Sequence, residues 1–364
     1  MSVLAAFAAI AVVLVLVFVH ELGHFLAARF QGIHVNRFSI GFGPIILKYQ
    51  GAKTEYAVRA FPLGGFVAFP DDDPDSDIPR NDPNLLSNRP ILDRAIVISA
   101  GVIANLIFAY LLLVSQVSFV GIQQIVDTKP GIVIEQLAPE VSSAATDAGI
   151  KVGDVVLAAN SRQFSDSPTE IESFQKIVKN NAGKEIQLQI SRGEEQLSLT
   201  IVPEAKANGG TIGVGLTPNV KTERKPVRNI VKAFSLGATE FQRIVTMTFQ
   251  GFGQLATNFQ ETANDLAGPV KIVEIGANIA QNDVGNLFFF AALISINLAI
   301  INILPLPALD GGQLAFLMIE GVMGKPLPSK IQEGVMGTGF VLILGLGIFL
   351  IVKETTQLLY QALN

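Results

Sequence analysis

Three polar residues at fixed spacing in an otherwise apolar segment are the strongest candidates for chemistry in this sequence. His20, Glu21 and His24 fit the pattern H-E-x-x-H. On a helix, two histidines four residues apart lie on one face, where both imidazoles can reach one metal ion. Glu21 is adjacent to a ligand and can act as a general base. We expect one zinc per chain, because imidazoles with a carboxylate suit this ion, which activates water and polarises carbonyl groups.

The alternative is a chance pattern, and the apolar context of the motif argues against it. The chain has three histidines, two of which lie in the motif; the third, His34, follows the segment in a basic loop. An ionisable group near the centre of a bilayer costs roughly 2.5–3.5 kcal/mol on insertion scales. No residue nearby in the sequence would offset this cost, whereas a bound metal ion would. We therefore predict a metal site and interpret His34 as an ordinary loop residue.

A catalytic zinc needs three protein ligands and an open position, so a carboxylate should complete the set. Asp310 is the best candidate, because Pro305 and Pro307 break the preceding helix and the following glycines allow a tight turn. Irregular backbone at membrane depth is tolerated only against protein or a wet cavity, so Asp310 should face a buried site. The alternative is that Asp310 only caps a helix that starts at Gln313. Asp265 and Asp283 are poorer ligand candidates, because they lie in the polar segment before the apolar helix that Pro305 ends.

Three of the asparagines in apolar segments are candidates for a role near the site, and each has two interpretations. Asn297 and Asn302 share one segment, and asparagines in spans usually hydrogen-bond to another helix. The alternative is that both amides bind the substrate backbone or stabilise a developing oxyanion. Asn105, four residues after Gly101, is interpreted as a packing residue, with proximity to the metal site as the alternative.

The composition is that of a membrane protein with a soluble portion. Charged residues make up 16% and hydrophobic residues 49% of the 364 residues, whereas a soluble domain is about 25% charged. The mean hydropathy of +0.45 excludes a disordered chain. The net charge of −5 gives no indication of nucleic-acid binding. The absence of cysteine excludes disulfides, thiol nucleophiles and cysteine-based metal sites.

Four segments are predicted to cross the bilayer. The first lacks the basic start of a signal peptide, and its apolar run is too long for one. The shorter apolar stretch 313–323 is expected to be a re-entrant or interfacial helix. The four predicted spans are 3 to about 30, 95 to about 120, about 284 to 304, and about 337 to 352.

The distribution of Lys and Arg predicts the orientation. The loop between the first two spans is rich in these residues, whereas the next loop offers little near its ends beyond Lys129 and Lys271. We therefore expect residues 30–93 in the cytoplasm, and residues 121–283 and both termini outside. The basic residues around the first loop are Arg29, Arg37, Lys48, Lys53, Arg59, Arg80, Arg89 and Arg94.

Residues 121–204 have the pattern of a small soluble domain, in which strand-like runs alternate with short helices at 141–148 and 168–180. This order, and the run Ala148-Gly-Ile-Lys-Val-Gly-Asp-Val-Val-Leu, resemble a PDZ domain, whose groove takes an extended peptide by strand addition. The alternative is a β-rich spacer or size filter. Our candidates for the groove are Gly131, Ile132 and Val133.

Residues 205–283 are interpreted as a linker followed by amphipathic helices. The phenylalanines of this region could lie on the membrane surface or pack against the spans. The residues concerned are Phe249, Phe252 and Phe259.

Together these motifs resemble the site-2 protease family of intramembrane zinc metalloproteases, in its bacterial branch with a single PDZ domain. The resemblance covers nearly the whole chain. The second span departs from it, because Val102 follows Gly101 where relatives often have proline. The first-span motif is matched by His20, Glu21 and His24, and the third-span motif by Asn297, Asn302, Pro305, Pro307, Asp310 and Gly311.

The resemblance implies an α-helical integral membrane protein with about four spans, a small membrane-associated β-hairpin and an inserted extracytoplasmic PDZ domain of β-rich α+β type. Its zinc ligands would be His20, His24 and Asp310, with Glu21 as the base. The hairpin loop, residues 37–69, would form a small sheet that pairs with an unwound substrate strand. Four glycines belong to it, although they could equally be plain turns: Gly41, Gly43, Gly64 and Gly65. The implied domains are 1–120 (first membrane domain), 121–204 (PDZ), 205–283 (linker and helices) and 284–364 (second membrane domain).

The implied function is cleavage of the membrane segments of single-pass proteins, such as anti-sigma factors already shortened by an upstream site-1-type protease, and remnant signal peptides. The partners would be these substrates and the lipid bilayer. The expected location is a bacterial plasma membrane, with a thylakoid membrane as the alternative. The rival function is a non-catalytic, membrane-anchored PDZ module with a structural metal.

Overall fold

A computed structural model describes residues 2–73, 76–167, 169–206, 209–258 and 267–363. They form two compact units. One consists of Met1–Gly121 together with Pro226–Asn364, and the other of Ile122–Lys225.

Helices dominate the first unit. Four of its described helical segments are long and apolar enough to cross a membrane: Val3–Phe30, Ile91–Val120, Asn286–Ile303 and Ser329–Leu358. The four predicted spans are thus confirmed. The second begins before the predicted residue 95 because its first turn contains Asp93 and Arg94, which an apolar pattern does not include. The helices are α1 (Val3–Phe30), α2 (Ile91–Ser115), α5 (Ile230–Thr257), α6 (Pro269–Asn282), α7 (Asn286–Ile303), α8 (Asp310–Met323) and α9 (Ser329–Leu363).

A sharp chain reversal separates α7 from α8. Ala308 has a φ of 71°, in the left-handed region that few non-glycine residues adopt. A β carbon at Gly311 would lie only 2.1 Å from the carbonyl oxygen of Leu304. Because only glycine allows this approach, the chain can turn back and start α8 at Asp310.

A small sheet follows α1. It consists of β1 (Arg37–Gln50) and β2 (Glu55–Ala68). Residues 37–40 lie between two parts of β2, parallel to 55–58 and antiparallel to 65–68, and residues 47–50 pair with 55–58. Residues 65–68 therefore form an outer edge of this sheet among the described residues.

Helix α5 lies against the spans. The hydroxyl of Tyr110 on α2 donates to the carbonyl oxygen of Phe234 over 3.1 Å, and Phe252 packs on a buried cluster of α2 and α7. Phe252 thus packs against the spans, which was one of the two interpretations of these phenylalanines. Phe249 is more than half exposed. Phe259 and Asp265 lie outside the described residues.

The second unit is an antiparallel sheet with strand order β10-β3-β4-β6-β7 and the short β5 beside β4. It extends past the predicted boundary at 204, because β10 pairs with β3 along nearly its whole length and Ile212 is part of the buried core. The predicted helix 168–180 is α4; Pro168 lies outside the described residues. The elements are β3 (Ile122–Leu137), α3 (Ala144–Asp147), β4 (Val155–Ala159), β5 (Arg162–Gln163), α4 (Glu170–Asn180), β6 (Ile186–Arg192), β7 (Glu195–Ile201), β8 (Glu204–Lys206), β9 (Gly209–Thr211) and β10 (Val214–Lys225).

Candidate metal centre

Side chains from α1 and α8 converge on one point. Nε2 of His20 lies 3.2 Å and Nε2 of His24 lies 3.4 Å from Oδ2 of Asp310, and the two Nε2 atoms are 3.3 Å apart. The three atoms form a nearly equilateral triangle. Within the described part of the chain, this is the one group of three side chains placed to hold a metal.

The triangle has the size that zinc requires. Zinc bonds to nitrogen and oxygen are about 2.0–2.2 Å long, so that tetrahedral ligand atoms lie about 3.3–3.6 Å apart. Oδ2 of Asp310 is buried without a hydrogen-bond partner among the described residues, as expected for an atom reserved for a cation. The alternative for Asp310 is wrong, because the N-cap of α8 is Leu309 and no side chain caps this helix.

Helix α2 supplies the group that orients His24. Nδ1 of His24 lies 2.8 Å from the carbonyl oxygen of Val97. A carbonyl can only accept, so Nδ1 carries the proton and the lone pair of Nε2 points towards Asp310. Such a carbonyl partner behind an imidazole is usual at metal sites and fixes the ring orientation.

The second histidine has a partner on the same helix. Asn105 is fully buried, and its amide lies 3.2 Å from Nδ1 of His20. The assignment of the amide nitrogen and oxygen follows from the hydrogen-bond network. Nδ2 of Asn105 is the amide atom nearest the ring, and Oδ1 has no partner among the described residues. With the amide flipped, Oδ1 would accept from Nδ1 and leave Nε2 free for the metal. Ser295 on α7 donates to the carbonyl oxygen of Asn105 over 2.9 Å. Asn105 thus lies beside the site, which was the alternative interpretation of this residue. The signal in the sequence was an amide side chain inside an apolar span.

Glu21 and Asn302 lie in the same cavity as the three candidate ligands. The cavity has a volume of about 670 Å³ and is also lined by Gly64 and Gly65. Glu21 is buried, and a β carbon at Gly65 would lie 2.8 Å from its Cγ. Nδ2 of Asn302 lies 3.4 Å from Nε2 of His20. The cavity therefore brings together the three candidate metal ligands, the carboxylate of Glu21 and the amide of Asn302.

Comparison with known proteins decides the family. The model of "Peptidase family M50" matches residues 8–346. The chain belongs to peptidase family M50, the site-2 protease family.

Relatives of this M50 peptidase are named as proteases or metalloproteases. A protein of Nostoc sp. named "Putative zinc metalloprotease all3971" is 73% identical over 361 residues, which cover 99% of this chain and 98% of the relative. The "Membrane metalloprotease ARASP, chloroplastic" of Arabidopsis thaliana is 47% identical, covering 96% and 78%. The "Regulator of sigma-E protease RseP" of Escherichia coli is 29% identical, covering 92% and 95%. The protein is therefore a zinc-dependent metalloendopeptidase of a membrane, and these predictions are confirmed.

Other residues considered in the sequence analysis lie away from the triangle of candidate ligands in this M50 peptidase. Oδ1 of Asn297 accepts from Thr248 on α5 over 2.9 Å, so this amide joins two helices. Gly41 and Gly43 have φ of 85° and 84° and form a turn against Phe61. His34 lies 3.7 Å from Asp82, outside the triangle.

The predicted peptide groove of the second unit does not lie at a free sheet edge. Ile132 pairs with Val156 on β4 and with Pro218 on β10. Val133 is likewise paired on both sides, and a β carbon at Gly131 would meet Val155 and Val156. A strand with neighbours on both sides has no free edge, so Ile132 and Val133 are not open to pairing with an added peptide strand.

Gly101 of the M50 peptidase makes room for both imidazoles. A β carbon there would lie 2.3 Å from Nε2 of His24 and 2.8 Å from Cε1 of His20. We expect Gly101→Ala to displace the rings and to weaken zinc binding by about 10- to 100-fold, the usual effect of disturbing the support of a ligand. Zinc per chain after dialysis against a chelator measures this effect.

The matched control is Gly345→Ala on α9. No described atom lies within 4 Å of a β carbon at Gly345, so this variant should keep its zinc. Wild-type zinc retention in Gly101→Ala would contradict the assignment of its role.

Proposed function

We propose that His20, His24 and Asp310 bind the catalytic zinc and that Glu21 is the general base of an intramembrane endopeptidase. The observation that carries this proposal is the 3.2–3.4 Å triangle of ligand atoms. Two of its corners belong to a helix long and apolar enough to cross a membrane. Zinc supplies a Lewis acid for the scissile carbonyl and lowers the pKa of water.

In this proposal Glu21 carries out the proton transfers, and Asn302 stabilises the negative charge that develops on the scissile carbonyl. Glu21 takes a proton from the attacking water and returns it to the nitrogen of the leaving amine, so the carboxylate is regenerated. Asn302, in the same cavity, donates from its amide to the oxyanion. Asn297, hydrogen-bonded to Thr248, is assigned to helix packing.

The edge formed by residues 65–68 is the proposed docking strand for the substrate. A helical substrate hides its scissile carbonyl in the hydrogen bonds of the helix, and pairing with an edge strand would hold it extended. Supporting this role, Gly65 and Phe66 line the cavity, and the backbone at Gly65 approaches Glu21 closely. The turn at Gly41 and Gly43 would shape the neighbouring tip of the sheet.

We further propose that the second unit is a single PDZ-like domain outside the cytoplasm. Its candidate groove is a cavity of about 850 Å³ between α4 and residues 209–216, with Phe174, Lys179 and Leu216 in its walls. This cavity borders β10, which is an edge strand among the described residues. The edge could pair with an extended peptide, and the alternative is a size filter.

The proposed substrates are membrane segments of single-pass proteins whose outer portion has already been removed by another protease. Truncated anti-sigma factors and remnant signal peptides have this form. The proposed location is a bacterial plasma membrane or a thylakoid membrane, with the second unit on the side away from the cytoplasm.

Two substrates that share one membrane segment test this function. One carries a short outer tail, and the other carries a folded outer domain. In liposomes we expect the wild-type protein to cleave the first within its apolar segment, as read by mass spectrometry, and to cleave the second much more slowly. A competing free peptide should slow cleavage only if the groove captures peptides.

Equal cleavage of both substrates would contradict the filtering role of the second unit. Cleavage outside the apolar segment, or no cleavage of the short substrate by a zinc-loaded protein, would contradict the proposed substrate class.

A further inference from the structure

Helix α8 carries Asp310, the proposed third ligand, and is buried at Gly311, Gly312 and Leu317. Met318 and Val322 on its outer side are 67% and 91% exposed, so much of this surface contacts no protein among the described residues. At its start, the close approach of Gly311 and Gly312 to carbonyl oxygens of Leu304 and Leu306 anchors the first turn. A further anchor near the other end would fix the direction of the helix.

An ion pair supplies such an anchor. Glu320, in the last turns of α8, accepts from the guanidinium of Arg94 in the first turn of α2. The two side chains are 13% and 16% exposed, which is low for charged groups at the ends of membrane helices, where Arg and Lys usually extend towards water. Gly321, beside Glu320, lies near Ile91 of the same α2 turn.

The pair connects α8 to the helix that already orients both histidines. Arg94, Val97 and Asn105 fall at positions i, i+3 and i+11, which share one face of a helix. Val97 holds His24 and Asn105 holds His20. Glu320 follows Asp310 by ten residues, about 15 Å along a helix axis, so fixing Glu320 fixes the direction in which Asp310 is presented.

We propose, resting on the zinc site of the proposed function, that Arg94 and Glu320 are positioning residues, which hold the third ligand in register with the two histidines through α2. The pair touches neither the metal triangle nor the cavity. Its effect on zinc therefore passes through the placement of α8. A pair that served only as a charged membrane anchor would leave the zinc centre unaffected.

The test compares zinc retention in variants of the full-length protein in detergent. We expect Glu320→Gln and Arg94→Gln each to weaken zinc retention against a chelator by about 10- to 100-fold, as for other groups that orient ligands. The double variant R94E/E320R restores the attraction with reversed charges and should recover most of the retention. In Co²⁺-substituted protein, the visible absorption of the single variants should differ from that of the wild type, because it reports ligand geometry directly.

Glu240→Gln is the matched control. It removes an ion pair with Arg243 on α5, whose two side chains are 30% and 51% exposed, and should leave zinc retention and the Co²⁺ spectrum unchanged. If Glu320→Gln does not yield folded protein, Arg94→Lys, which keeps the charge but loses the planar fork, is measured with the same expectation.

Wild-type retention in both single variants would overturn the proposal. An equal loss in Glu240→Gln, or a folded R94E/E320R protein that loses zinc as fast as the single variants, would overturn it as well.

Discussion

Replacing Glu21 by glutamine should abolish proteolysis while leaving the zinc in place. Glutamine has nearly the same size as glutamate but cannot take a proton from water. General acid–base groups contribute about 10²- to 10⁴-fold to a rate, and we expect a loss within or above this range. Glu21 does not belong to the triangle of candidate ligand atoms, so zinc per chain should equal that of the wild type. The measurement pairs metal analysis with cleavage of a tagged single-span substrate.

Because zinc content and cleavage are measured on the same variant, a failure in catalysis can be distinguished from a failure in metal binding. If Glu21→Gln cleaved as fast as the wild type, the carboxylate would not be the base. If the variant lost its zinc, Glu21 would act in metal binding, and the triangle of His20, His24 and Asp310 would be incomplete as a ligand set.

Replacing Asp310 by asparagine should remove most of the zinc and all of the activity. An amide is a much poorer zinc ligand than a carboxylate. Loss of a ligand should exceed the effect of about 10- to 100-fold on metal affinity that is typical of supporting groups. Zinc per chain and the Co²⁺ spectrum measure the change independently of substrate.

Asp283→Asn is the control for Asp310→Asn. Asp283 is the other described aspartate that the sequence suggested as a ligand, and its Oδ1 instead accepts from the backbone of Gly285 over 3.0 Å. Asparagine keeps an acceptor at this place, so zinc should be unchanged. A variant Asp310→Asn with wild-type zinc would show that the third ligand lies elsewhere.

The residues that the sequence located best are those marked by short-range patterns. The spacing of His20 and His24 on one helix is a local signal, and so are the prolines before Asp310 and the glycines after it. The turn at Ala308 and Gly311 explains the second signal physically. The spans follow from long apolar runs. In each case the information lies within a few residues of the feature.

Features that depend on distant pairing were not predictable in the same way. The second unit continues to Lys225 because β10 pairs with β3 about 90 residues earlier. The same pairing closes the edge at Ile132, where the groove was predicted. The hydrogen bond between Asn105 and His20 and the ion pair between Arg94 and Glu320 also join separate helices. No local pattern specifies which of several helices will meet.

Helix α2 contributes no ligand, yet it limits how the length of this chain can vary. Between Arg94 and Asn105, the insertion or deletion of one residue would turn the two ends of the segment by about 100° relative to each other. The support of one histidine, or the anchor of α8, would then point away from the site. Insertions before Arg94 or after Asn105 leave this register intact. Functional chains of this architecture should therefore tolerate changes of length in the loops on either side of the segment and none within it.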